Sequence, residues 1–280
     1  MAKVICGKTL AQRVREGLKV EAREFEKANK RRVGLAVVLV GENPASQVYV
    51  RNKAKACEDV GIRSFTHILD ENSKKEDVIK VIKKLNQDAR VDGILVQLPL
   101  PKHLDEREIL AFVKPKKDVD GFHTENAGAL LLGHGTLVAC TPLGIIELIK
   151  ETGEDMCGKH AVVIGRSNIV GKPVAHLLLQ NDCTVTVCHS RTKDLAHYTK
   201  QADILVAAIG KKEFVRGDMV KSGAIVIDVG INRDSDKLYG DVCFDEVKDV
   251  AWYITPVPGG VGPMTIAMLL SNVIKAAQKR

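Results

Sequence analysis

Tyr49 and Lys53 stand four residues apart, which on a helix puts a phenol and an amine on one face where they can act together. Tyr and Lys at this spacing also occur on plainly solvated helices, so the spacing alone leaves a catalytic pair and a solvated face both open. Gln97 follows an apolar strand and begins Gln97-Leu-Pro-Leu-Pro101. These prolines stop the strand at its carboxyl end, where open α/β sheets bind ligands. Asp118 and Asp120 lie beside Gly121 in a turn. Either carboxylate can serve a ligand or cap its own backbone, and for Asp118 the capping role is hard to reject.

A second group of residues suits a dinucleotide. The apolar stretch His160 to Ile164 runs into Gly165-Arg-Ser-Asn-Ile-Val-Gly-Lys-Pro173 and then an apolar helix. That is a strand, a Gly-rich turn and a helix N-terminus, whose N–H groups and dipole favour phosphate. GxSxxxG stands in place of GxGxxG, and a purely structural turn is the alternative. The next strand ends in His189-Ser190-Arg191-Thr192, without the acidic residue that would hold the ribose 2′-hydroxyl of NAD. Ser190 and Arg191 suit a 2′-phosphate instead, so NADP is expected, with Arg166 as a second cation. A Tyr-x-x-x-Lys pair serves short-chain dehydrogenases, but there it follows the nucleotide unit and here it precedes it.

The stretch Pro256-Val-Pro-Gly-Gly-Val-Gly-Pro-Met-Thr265 is Gly/Pro-rich in backbone and apolar in side chain. Six Gly or Pro in ten residues are expected to forbid a regular helix or central strand, leaving a hinge or a ligand-contacting wall.

The elements that must hold these residues alternate along the chain. An amphipathic helix is expected from Thr9 to about Lys27, then a doubly buried strand Val33 to Val40. A helix Ser46 to Val60 closed by Gly61, a strand Ile62 to Ile68, a helix Lys74 to Asp88 with a Ser73/Glu76 capping box, and a strand Gly93 to Val96 follow. After an irregular stretch the alternation resumes at His160 and passes through Thr184 to Cys188, Ile204 to Ala207, Ala224 to Val229 and Tyr253-Ile254. A last helix follows Thr265 and is expected to return to the first domain. The reading is an α/β protein of two domains with parallel sheets, divided as 1–141 plus 264–280 and 142–263.

Composition narrows the partners. The formal charge of +7 is scattered and aromatics make up 4%, so no basic, aromatic-interleaved platform for nucleic acid is expected, whereas an anionic small molecule fits. Seven cysteines without CxxC spacing read as reduced core residues, and eight histidines without paired ligand spacing predict no metal. No apolar run approaches a membrane span, and a cytoplasmic location is expected.

Taken together, Ser46 to Lys53, Val96 to Pro101, Lys117 to Gly121, Gly165-Arg-Ser, Asp228-Val-Gly-Ile-Asn232 and Pro256 to Thr265 resemble the bifunctional methylenetetrahydrofolate dehydrogenase/cyclohydrolase family, in family order over essentially the whole chain. The match begins within the first residues and no synthetase domain follows, so neither a mitochondrial presequence nor that extra activity is expected. The resemblance implies a folate-binding domain completed by the last helix, a Rossmann-type NADP domain, a cleft between them and a homodimer. It implies oxidation of 5,10-methylenetetrahydrofolate with NADP and hydrolysis of the methenyl product to 10-formyltetrahydrofolate, in one-carbon metabolism that feeds purine biosynthesis. A buried Lys53 of lowered pKa would be the general base and acid, Gln97 would position it, Tyr49 would stack on or orient the folate and Asp120 would meet the pterin donor edge. Val96, Leu98, Pro258, Gly259 and Gly262 would line the substrate, and Gly165, Arg166, Ser167, Ser190, Arg191 and Ile231 the cofactor. The basic balance would attract the acidic glutamate tail of the folate, which can be polyglutamylated. Two rivals share the domain order or fold: a shikimate or amino-acid dehydrogenase, and an inactive nucleotide-sensing module. The first has no use for the Pro256 to Thr265 stretch, and the second would have lost one of Tyr49, Lys53, Gln97 or Asp120.

Overall fold

A two-residue strand, β1 (Lys3–Val4), opens the chain and leads through buried Ile5 into helix α1 (Gly7–Asn29). The first alternation is β2 (Gly34–Val40), α2 (Pro44–Val60), β3 (Arg63–Leu69), α3 (Lys75–Gln87) and β4 (Gly93–Val96). Short helices α4 (Glu106–Leu110) and α5 (Thr124–Leu131), with a 3-10 turn Pro115–Lys117 between them, lead to α6 (Cys140–Lys150). The second alternation runs β5 (His160–Ile164), α7 (Gly171–Gln180), β6 (Thr184–Cys188), α8 (Leu195–Thr199), β7 (Ile204–Ala207), β8 (Ile225–Asp228), β9 (Asn232–Asp234), β10 (Lys237–Tyr239), α9 (Phe244–Val247), β11 (Tyr253–Ile254) and α10 (Val261–Gln278). This computed structural model describes residues 1–234 and 237–279.

Two units divide the chain: Arg13–Cys140 with Ile266 onward, and Met1–Gln12 with Thr141–Thr265. In the first, β2 is the middle of a parallel sheet ordered β3-β2-β4, which is why all seven of its residues are buried while the edge strand β3 alternates. Leu35 pairs with Gly93 and Val38 with Val96, so β4 ends beside the end of β2 and delivers Gln97 to that edge. Val78 and Ile82 of α3 pack with Val38, Ile94 and Val96 in its core. Gly61 closes α2 in the left-handed conformation, at φ 90°. The Ser73/Glu76 capping box does not form: Lys74 is the N-cap of α3 without a side-chain cap bond, and the Ser73 carbonyl instead meets His103 Nε2 at 3.0 Å.

In the second unit the order β1-β11-β8-β7-β5-β6 is parallel throughout. The chain leaves β5 for β6 on one side and then crosses to β7 on the other, which makes the gap between β5 and β7 the switch point of a doubly wound sheet. The first twelve residues belong here and not with the first domain as expected. β1 pairs with β11, and Gly7 lies so close to the Gly260 carbonyl that a Cβ would collide with it. A second correction concerns Pro256 to Thr265. Val261–Thr265 form the first turn of α10, because Pro263 falls where a helix has no intrahelical use for the N–H that proline lacks. Five cysteines are buried as expected, whereas Cys6 and Cys157 are exposed, and all seven are free. Among the described residues no helix is long and apolar enough to cross a membrane.

Candidate active site

In the first unit α2 and the end of β4 bring two expected residues into contact. Lys53 Nζ donates to Gln97 Oε1 at 3.0 Å, and Gln97 Nε2 donates to the Leu98 carbonyl at 2.6 Å. An ammonium or amine with N–H groups needs an acceptor, so the bond to Leu98 fixes the amide with its oxygen toward the lysine. Lys53 is half-buried and not buried as expected, because it leaves α2 on the same face as Tyr49, which is 43% exposed. Val96 is buried at the end of β4, and Leu98 is half-buried before the cis bond to Pro99.

Asp118 and Asp120 part company. Asp118 is buried, and its Oδ2 accepts from the His123 N–H at 2.8 Å and Asn126 Nδ2 at 2.9 Å, a structural brace for the turn. Asp120 is half-buried. Burial pushes its carboxyl up to about 6, the Lys53 charge opposing and the Asp118 charge adding to the shift. The turn between them is held from behind by a residue that sequence reading missed. Asn272 of α10 spends its two amide hydrogens on the Val119 carbonyl at 2.9 Å and the Val138 carbonyl at 2.8 Å. A polar Ser271-Asn272 pair between Leu269-Leu270 and Val273-Ile274 is the signal that would have found it.

In the second unit Gly165 ends β5 at φ +122°, and a Cβ there would collide with the Ala208 carbonyl. Gly171 opens α7 against the Gly165 carbonyl with equally little room. These two glycines are what the GxSxxxG spacing requires. Ser167 Oγ accepts from the N–H groups of Val170 and Gly171 at 3.1 and 3.2 Å, so its hydroxyl caps the helix start. Arg166, Ser190, Arg191 and Ile231 are exposed at the carboxyl ends of β5, β6 and β8. The turn carrying Ser190 and Arg191 is set by Thr192 Oγ1, which accepts from the His189 N–H, and by His189 Nδ1, which accepts from the Arg191 N–H. Pro258 is exposed after a cis bond, Gly259 has φ +106°, and Gly262 lies in the first turn of α10; Pro258, Gly259 and Gly262 all belong to this unit, not to that of Lys53. A backbone stripped of Cβ atoms at the switch point, with a helix of ten residues behind it and cations at the neighbouring strand end, fits a phosphorylated dinucleotide.

This architecture defines a two-domain α/β enzyme with a dinucleotide-type sheet. Residues 5–120 match the family described as tetrahydrofolate dehydrogenase/cyclohydrolase, catalytic domain, and residues 139–280 match tetrahydrofolate dehydrogenase/cyclohydrolase, NAD(P)-binding domain. The bifunctional protein FolD of Acetivibrio thermocellus is 55% identical over 278 residues, covering 99% of this chain and 97% of that protein. The crystal structure of the bifunctional FolD methylenetetrahydrofolate dehydrogenase/cyclohydrolase from Campylobacter jejuni superimposes with a TM-score of 0.98 at 51% identity, with all of both chains covered. The FolD structure from Trypanosoma brucei, complexed with NADP cofactor and inhibitor, does so at 0.95 and 41% identity, covering 99% of this chain and 98% of that one. The chain belongs to the tetrahydrofolate dehydrogenase/cyclohydrolase family.

Proposed function

We propose that the chain oxidises 5,10-methylenetetrahydrofolate to 5,10-methenyltetrahydrofolate with NADP and hydrolyses that product to 10-formyltetrahydrofolate. The observation that carries the reading is the 3.0 Å bond between Lys53 Nζ and Gln97 Oε1, within the stretch that matches the family's catalytic domain. Hydrolysis adds water at the methenyl carbon and opens the bridge at a ring nitrogen. Lys53 takes one proton from the attacking water and passes it to the departing nitrogen, and Gln97 holds the amine in line. The adduct's hydroxyl proton goes to solvent as the formyl C=O forms and the cationic charge is discharged. Tyr49 stacks on or orients the folate, Asp120 accepts from the pterin donor edge, and Val96 and Leu98 line the substrate. NADP supplies the hydride acceptor when bound. Gly165, Arg166, Ser167 and Ile231 hold it, and Ser190 and Arg191 select its 2′-phosphate. The protein acts as a cytoplasmic homodimer in one-carbon metabolism serving purine biosynthesis, and its positive charge favours polyglutamylated substrates.

Absorbance of methenyltetrahydrofolate formed from the methylene substrate, with NADP or NAD, and its later decay tests both activities at once. Formation without decay would remove the hydrolase half of the reading. Arg191→Ala is expected to lower kcat/KM with NADP about tenfold and to leave that with NAD within about twofold, since a charge-assisted bond to the 2′-phosphate exists only for NADP. Equal losses with both cofactors would sink that assignment.

Asp120 gives a pH test. Its carboxyl is raised to about 6, so it is ionised and able to accept from the pterin above that pH and protonated below it. The kcat/KM for the folate is expected to fall about tenfold per pH unit below 6. The NADP affinity should not follow, and Asp120→Asn should lower kcat/KM for the folate and remove the acid limb from what activity remains. An acid limb that persists in Asp120→Asn would assign it to another group.

A further inference from the structure

Asp241 has no place in the chemistry so far, yet it is fully buried, and its carboxylate gathers four donors. Oδ2 accepts from the N–H groups of Ile209 at 2.7 Å and Gly210 at 3.0 Å. Oδ1 accepts from the Lys211 N–H at 2.8 Å and from Asn232 Nδ2 at 3.0 Å. Three consecutive backbone donors converging on one anion fix the loop that leaves β7, and the fourth donor ties in the residue after Ile231. The space is reserved for the carboxylate, because a Cβ at Gly230 would run into Asp241 Oδ1.

A second carboxylate locks the first in place. Asp228, at the end of β8, accepts from the backbone N–H groups of Asp241 at 2.8 Å, Val242 at 2.9 Å and Gly230 at 3.0 Å. A Cβ at Gly240 would occupy the position of its Oδ2. The order of bracing therefore runs from β8 through Asp228 to the Asp241 backbone, and from the Asp241 side chain to the β7 loop.

That loop lies at the switch point. β7 is the neighbour of β5 across the reversal in strand order, and Ala208, one residue before Ile209, is the group against which Gly165 of the Gly-rich turn is packed. Dinucleotides bind across the carboxyl ends of such strands. The geometry points to Asp241 as a positioning residue for NADP, an internal anion that holds the β7 loop and the Ile231–Asn232 segment in the shape the cofactor meets. This rests on the reading of the second unit as the NADP site.

Asp241→Asn is nearly isosteric, but one end of the amide then presents N–H to N–H, whichever way it is turned, and two of the four bonds are lost. The NADP Kd of the folded variant, from titration of native and variant protein, is expected to rise about tenfold or more. Hydrolysis of added methenyltetrahydrofolate needs no cofactor and draws on Lys53 in the other unit, so it should stay within about twofold of native. Hydrolysis and NADP affinity falling together, or an unchanged Kd, would overturn the assignment. A native protein that does not bind NADP would overturn the cofactor reading itself, whereas a native protein that binds and a variant that binds equally well overturn only the role of Asp241. If Asp241→Asn does not fold, Asn232→Ala removes one donor and leaves the three backbone bonds. Its NADP Kd should then rise about threefold, with faster amide exchange at Ile209 to Lys211, and neither change occurring would equally count against the proposal.

Discussion

Lys53→Met is expected to lose methenyltetrahydrofolate hydrolysis by about 100- to 10,000-fold, the range that a positioned general acid and base contributes. Methionine keeps much of the lysine's length and apolar stem and removes the one atom that can exchange a proton with the attacking water. Gln97 then loses the partner 3.0 Å away and keeps its own bond to the Leu98 carbonyl, so the end of β4 should hold its shape. NADP affinity should stay within about twofold, because Gly165, Ser167 and Arg191 lie in the other unit. Decay of methenyltetrahydrofolate absorbance beside an NADP titration measures both. Hydrolysis retained within tenfold would move the proton transfer to another residue, with Asp120 next in line.

The contrast between Lys53 and Asp241 shows what a linear reading can reach. β2 and β4 are legible because strands buried on both faces read as unbroken apolar runs, and α2 and its closing Gly61 because helix period and C-cap chemistry are local. β1, β9 and β10 have two or three residues each and no buried run, so nothing in their composition separates them from loop. Only pairing with β11 reveals β1, from some 250 residues away. The Ser73/Glu76 box is a local pattern that fails because α3 starts one residue later, with Lys74 as its N-cap, and the Gly/Pro content ahead of Thr265 conceals a helix start because the first turn tolerates both residues.

The site divides in the same way. Tyr49 and Lys53 share a face by spacing alone, but the Lys53–Gln97 bond joins residues 44 apart and exists through the parallel register of β2 with β4. Resemblance named both residues where spacing named only the first pair. Asp241 stayed hidden for a different reason. Its partners are mostly backbone N–H groups, 30 to 32 residues earlier, and backbone donors have no letter in a sequence. Asn272 was visible in principle as a polar break in an apolar helix, but its two carbonyl acceptors were not.

Gly165→Ala is the second change expected to have a large effect, and it acts on the opposite unit. The backbone at Gly165 has φ +122°, a region that residues with a Cβ rarely adopt, and the added methyl would point into the Ala208 carbonyl. Strain of about 1–3 kcal/mol from the dihedral alone is increased by the collision, and relief requires the turn to move away from the β7 loop. Gly171, packed against the Gly165 carbonyl, would be carried with it, displacing the start of α7 and the Ser167 cap. Roughly 3 kcal/mol of lost cofactor binding corresponds to about a 100-fold rise in NADP Kd. The dehydrogenase rate at fixed NADP should fall in step, while hydrolysis of added methenyltetrahydrofolate, resting on Lys53 and Gln97, should remain within about twofold. Binding of NADP within threefold of native would mean that the cofactor does not lie over this turn, and would send the search for its phosphates elsewhere along the carboxyl edge of the sheet.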